Sequence, residues 1–280
     1  MIERALDNDT AIRSYRYLRL ALVIIVLSLG VSLLLERWHA GCWSTSISAS
    51  FYTPVRSVFV GGLVAIGVCL ITIKGRTDAE DILLNIAGML APIVAFVPTS
   101  PPHTVCSSVP HLVTDARPFI DNNLLSLAIG GMLALGVAYV SARRHGPVNL
   151  SVSVANRIGF GVALAIIVSG LVWYIVARDN FVTYAHGYAA LVLFVAIGIV
   201  VWINHRRSRP KFARLYRLIA GFMVLSAVAV GIGTAVADEW NHSTLWIEAL
   251  EIGAFAVFWT LQTFEHWGSG VAPIVDAKKT

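Results

Sequence analysis

The chain has 280 residues, of which 57% are apolar and only 13% charged, and it carries a formal net charge of +5. With a mean hydropathy of +0.74, it has too little polar surface to cover a water-soluble globule of this size, so its solvent is lipid. The positive balance does not argue for nucleic acid, because the basic residues flank apolar segments as topology signals next to the lipid bilayer.

Eight apolar segments reach the roughly 17–25 residues that a helix needs to cross a hydrocarbon core. They predict an all-α, polytopic transmembrane helix bundle in which residues 1–280 form a single integral membrane domain. The spans are expected near 17–35, 55–73, 81–97, 122–142, 158–177, 183–203, 215–237 and 244–264. Each is continuous rather than alternating, which excludes an outer-membrane barrel and leaves the backbone polar groups satisfied within helices. Placing the amino terminus inside puts 17 of the 21 Lys and Arg on alternate, cytoplasmic segments, and leaves Arg37, Arg56, Arg117 and Arg178 outside. Both termini are therefore expected on the cytoplasmic side of a cell inner membrane. The first span is longer than a signal-peptide core and lacks a small-x-small cleavage site, so it is read as a helix.

The first outer segment, 36–54, holds Cys42 and the run "STSISASFYTP"; the second, 98–121, is rich in Pro and Ser and holds His103, Cys106, His111 and Asp115. Cys42 and Cys106 fall on the same side, so a disulfide between them is one reading and two free thiols the other. Cys69 lies inside the second span. On the inner side, Glu80 and Asp81 are read as favourable first-turn acids of the third helix. "INHRRSRPKFARLYR", 203–217, is read as a solvated cytoplasmic linker, and Gln262, Glu265 and His266 close the last helix.

Ionisable groups inside the spans are the stronger signal, since lipid makes them costly. Glu248 and Glu251 stand three apart on one face of the last helix, roughly 5 and 10 Å below its outer end at about 1.5 Å per residue. His186 lies at a similar depth in the sixth span, and Arg56 stands at the entrance of the second beside Tyr52 and Thr53. Arg56 is expected to pair with Glu248 or Glu251, because a guanidinium fork suits a carboxylate.

Two readings of these groups stay open. In one they are a structural ion pair, with His186 an interhelical hydrogen bonder and the serines capping a helix or re-entrant turn. In the other, Ser46, Ser48, Tyr52, Thr53, Arg56, His186, Glu248 and Glu251 line an outer-leaflet polar pocket that binds or moves a lipid or small polar ligand. Alternatives are a metal-dependent membrane hydrolase using His186, Glu248, Glu251, His111 and Asp115, and a structural subunit with a membrane protein partner. No HExxH, CxxC, G-x-S-x-G, Walker or dinucleotide pattern occurs, so the sequence specifies neither metal nor cofactor. No internal repeat of the inverted-transporter kind is found.

"SISASFYTPVRSVFVGGL", "EDILLNIAGMLAPIVAFVPT" and "WIEALEIGAFAVF" together resemble a group of bacterial polytopic membrane proteins with a Ser-x-Ser, Tyr-Thr-Pro-x-Arg-x-x-Phe-Val-Gly style of entrance. The matching positions are Ser46, Ser48, Tyr52, Thr53, Pro54, Arg56, Phe59, Gly61, Asn85, Gly88, Pro98, Thr99 and Glu248. The resemblance implies a multi-pass bundle and supplies no activity. "SIS" before the second helix is also similar to the Ile-Ser-Asp entrance of DRAM-type and GPI-remodelling membrane proteins, with Ala49 in place of the acid.

Overall fold

A computed structural model describes residues 2–99, 106, 108–110, 112–113, 115–145, 154–236 and 241–267. Among them it forms eight α-helices: α1 (Ile2–Ala40), α2 (Arg56–Thr72), α3 (Asp78–Phe96), α4 (Arg117–His145), α5 (Val154–Val176), α6 (Arg178–Arg207), α7 (Pro210–Val236) and α8 (Ser243–Glu265). Seven are long and apolar enough to cross a membrane, which makes the chain a multi-pass helical membrane protein. The eighth, α2, has 17 residues and is preceded by a 3-10 turn at Ser48–Tyr52.

Local chemistry sets the helix ends. Thr77 Oγ1 accepts the Glu80 N–H at 3.1 Å and caps α3, which starts three residues before the expected span at 81. Gly41, at φ 75°, takes the left-handed conformation that closes α1, and its N–H returns to the Arg37 carbonyl at 3.0 Å. Asp115 Oδ1 accepts the Arg117 N–H at 3.0 Å at the head of α4. Several helices overrun their expected spans, α1 by the widest margin, because a helix continues into the interface where charged residues are tolerated. The stretch 203–217 is the clearest correction. It is no solvated linker, since only Ser208 and Arg209 separate α6 from α7 and both Asn204 and Tyr216 are fully buried.

Six helices close a ring in the order α1, α2, α3, α6, α7, α8 and back to α1, while α4 and α5 flank it on the α3 and α6 side. The ring encloses the main core, built from Leu22, Leu70, Leu84, Ile197, Tyr216, Phe258 and Trp259. The closest approach is between α2 and α3. A Cβ on Gly67 would stand 2.6 Å from the Gly88 carbonyl oxygen, and one on Gly88 would stand 2.7 Å from that of Gly67. Pro92 has no N–H to offer the Gly88 carbonyl, and glycine at 67 lets the neighbouring backbone approach that oxygen instead. Large apolar side chains such as Val137, Ile175, Leu191 and Val236 remain exposed and face the lipid.

Candidate functional site

At one end of the bundle the chain turns inward between α1 and α2. Every residue from Ser46 to Thr53 is buried. Ser46 Oγ accepts the Ala49 N–H at 3.0 Å and the Ser50 N–H reaches the Ile47 carbonyl at 3.0 Å, so the turn satisfies much of its own backbone. Thr53 Oγ1 accepts the Val55 N–H at 3.3 Å at the entrance of α2. The Tyr52 hydroxyl donates to the Thr99 carbonyl at 2.7 Å, and the Leu112 N–H donates to the Tyr52 carbonyl at 2.8 Å. Burial, with Asp115 near, pushes the Tyr52 phenol up to about 12 and keeps it a neutral donor. A disulfide joins Cys42 to Cys106, Cα to Cα 5.9 Å, at the same end.

Arg56 does not make the expected ion pair. Its guanidinium lies over the rings of Phe51 and Phe119, 4.3 and 4.5 Å from their centroids. The aromatic turn delivers Phe51 to the head of α2, and a cation held by two ring faces is satisfied without a carboxylate.

Glu248 meets the turn instead. Its Oε2 accepts the backbone N–H groups of Ile47 at 2.5 Å and Ser48 at 3.3 Å, and its Oε1 is hydrogen-bonded to Ser48 Oγ. Ser48 Oγ also lies 2.8 Å from His186 Nε2, and the other ring nitrogen, Nδ1, lies 2.8 Å from the Val97 carbonyl oxygen. Ser48 and His186 are 3% and 4% exposed. The cluster thus ties α3, α6, α8 and the inward turn together. A serine this deep, placed between an acid and a histidine, is not arranged as a nucleophile, since the histidine of a hydrolase stands between serine and acid.

One turn along α8, Glu251 is buried, and Ser226 of α7 donates to its Oε1 at 2.8 Å. Among the described residues no Lys or Arg pairs with Glu248 or Glu251. Both carboxyl groups, with His186, line the end of a groove of about 960 Å³ between α6, α7 and α8. Its walls are apolar or small: Gly187, Ala190, Phe194 and Gly198 from α6, Ala220 and Met223 from α7. From His186 to Trp202 the α6 wall runs about 24 Å at roughly 1.5 Å per residue. Trp202 and Arg217 stand at the far end. Of the residues expected at the site, His186, Glu248 and Glu251 border this groove, whereas Ser46, Ser48, Tyr52, Thr53 and Arg56 stand behind it and hold the turn. Among the described residues no three His, Cys, Asp or Glu side chains converge as a metal site, and His103 and His111 lie outside those residues.

The opposite end holds a second buried cluster that the sequence reading did not assemble. Glu80, 2% exposed, accepts the Arg76 backbone N–H at 2.8 Å and Asn204 Nδ2 at 2.7 Å. The Arg76 guanidinium contacts Ser208 Oγ at 3.2 Å and both ring nitrogens of His266. Glu265 Oε2 accepts from Ser208 Oγ at 3.0 Å and Tyr216 OH at 2.8 Å, with His266 Nε2 at 3.4 Å. Arg19 is buried within electrostatic reach of Arg76, Tyr216 and Glu80. Burial first, then the charge of Arg76, push the His266 imidazole well below its ordinary value, with Glu265 opposing.

No family model, curated protein or solved structure matches the chain.

Proposed function

We propose that the protein binds, and in doing so sequesters or moves, a lipid whose apolar chain lies in the α6–α7 groove and whose amine or hydroxyl head donates to Glu251, beside Glu248. The observation that carries this reading is an apolar groove of about 960 Å³ ending on two carboxyl groups with which no basic side chain pairs among the described residues. Ligand pockets are typically about 300–1,000 Å³, apolar, with a few placed polar groups, and this groove has that character. Hydrogen-bond acceptors at its end fit a donor-bearing head and disfavour a phosphate lacking an amine or hydroxyl.

The Ser48 end faces the outside in this reading, and both termini lie in the cytoplasm of a bacterial cell. Two observations support it. Most basic residues fall at the opposite end, and the Cys42–Cys106 bond belongs to an oxidising compartment.

The test is photo-crosslinking in lipid nanodiscs with phosphatidylethanolamine and phosphatidic acid probes, each carrying a diazirine in the chain. The amine-headed probe is expected to label α6 and α7 peptides around Phe194 and Met223, and Glu251→Gln to reduce that labelling at least tenfold with folded yield unchanged. Equal labelling of all lipid-facing helices by both probes, insensitive to Glu251→Gln, would overturn the proposal.

A further inference from the structure

The hydrogen bonds around Ser48 can be counted proton by proton. The Val97 carbonyl can only accept, so the 2.8 Å contact requires His186 Nδ1 to carry a proton. Ser48 Oγ then faces His186 Nε2 at 2.8 Å on one side and Glu248 Oε1 on the other, with one hydroxyl proton to give. Were His186 neutral and Glu248 ionised, both partners would be acceptors. One buried contact would then set lone pair against lone pair, in a place where water does not compensate.

One additional proton removes the conflict, and we infer that Glu248, Ser48 and His186 form a proton-binding site. With the proton on Glu248 Oε1, that O–H donates to Ser48 Oγ, the Ser48 hydroxyl donates to His186 Nε2, and His186 Nδ1–H donates to Val97. Glu248 Oε2 is then the carbonyl oxygen, and it accepts the Ile47 and Ser48 N–H groups. Every polar atom in the chain of contacts is satisfied. Passing the proton along the same path gives an imidazolium and a carboxylate, with the Ser48 hydroxyl reversed and no heavy atom displaced. The neutral arrangement is the resting one, because separating charge in a low-dielectric interior is costly.

Among the described residues the surroundings do not supply the missing charge. From α8 the nearest titratable group is Glu251, engaged by Ser226 of α7. From α2 it is Arg56, held on two aromatic rings, and from the turn it is Tyr52, bonded to Thr99. From α3 the partners of His186 are backbone carbonyls. Removing the proton breaks the joint between the turn, α6 and α8 beside the polar end of the groove, so proton release and loosening of that end are one event. The site is complete without a lipid, and its test is independent of the ligand reading.

That test is infrared spectroscopy of the full chain in nanodiscs at pH 7, with 15N-labelled histidine followed by NMR on the same sample. The expected result is one proton. It shows as a protonated-carboxyl C=O band that shifts in D2O, persists in Glu251→Gln and vanishes in Glu248→Gln, or as an imidazolium 15N signal that Glu248→Gln removes. Neither signal at pH 7, meaning an ionised Glu248 beside a neutral His186, would overturn the inference. Glu248→Gln places an amide donor where the acid proton lies, so from pH 7 upward, clear of the His266 titration, its melting temperature is expected to fall less than that of the wild type. Parallel curves would also overturn it. Should Glu248→Gln not fold, the wild-type and Glu251→Gln spectra still count the proton.

Discussion

At the Arg76 end, Glu80 and Glu265 sit in a web that includes a guanidinium, an imidazole, two amides and a tyrosine, drawn from α3, α6, α7, α8 and the α2–α3 turn. At the Ser48 end, Glu248 and Glu251 meet hydroxyls, backbone N–H groups and the open side of a groove, with no cation among the described residues paired to them. The first is a closed, charge-compensated lock between loops. The second holds acid groups that lipid makes costly and that packing alone does not require, which is the usual mark of a site. On the proposed reading the same residue type serves two purposes, and what separates them is the partner.

Variants that attack each end differently sharpen this contrast. The largest effect is expected from Arg76→Ala, which removes the guanidinium from Ser208 Oγ and the His266 ring and takes its positive charge out of the buried network that holds Glu80 and Glu265. Two charged hydrogen bonds are lost, each worth about 1.5–3 kcal/mol, so little folded protein should survive detergent extraction, as read by size-exclusion chromatography. Normal yield would show that the lock is dispensable. Next is Cys42→Ser, which frees a connection across 64 residues; a loss of about 2–4 kcal/mol is expected in thermal unfolding, and wild-type protein in strong reductant should reproduce it.

Gly88→Ala pushes α3 away from α2 and should cost about 1–3 kcal/mol, leaving the groove and its labelling untouched because α2 does not border it. Acidification is a milder probe of the Arg76 end. The unfolded chain binds a proton at His266 near pH 6.5 and the folded chain resists it, so stability is lost progressively as the pH falls below about 6.5. His266→Gln should flatten that limb of the curve. Smallest of all is the effect of Glu251→Gln on stability, since an amide still accepts from Ser226. An unchanged melting temperature with lost lipid labelling separates site from scaffold, whereas unfolding would class Glu251 with the lock.

The sequence revealed the two ends unequally, for a physical reason. Glu248, Glu251 and His186 interrupt apolar runs, so their cost in lipid made them visible. Their partners were not visible, because Ser48 reaches them through an inward turn whose path depends on backbone geometry. Arg56 lies at the right depth for an ion pair, yet the turn sets Phe51 and α4 sets Phe119 against it first. Arg76, Glu80, Glu265 and His266 stand at helix ends, where charged residues are ordinary topology signals, so nothing in their spacing distinguished a buried network from a wet interface. Asn204 and Tyr216 were hidden for the same reason inside a basic stretch.

The most direct test is a cryo-electron microscopy map of the protein in nanodiscs made from a bacterial lipid extract. The account predicts elongated density filling the groove from Trp202 to His186, with its polar end within hydrogen-bond distance of Glu251. A groove closed by α7 collapsing onto α6, with Glu251 sealed against Ser226 and no ordered density beside it, would contradict the account.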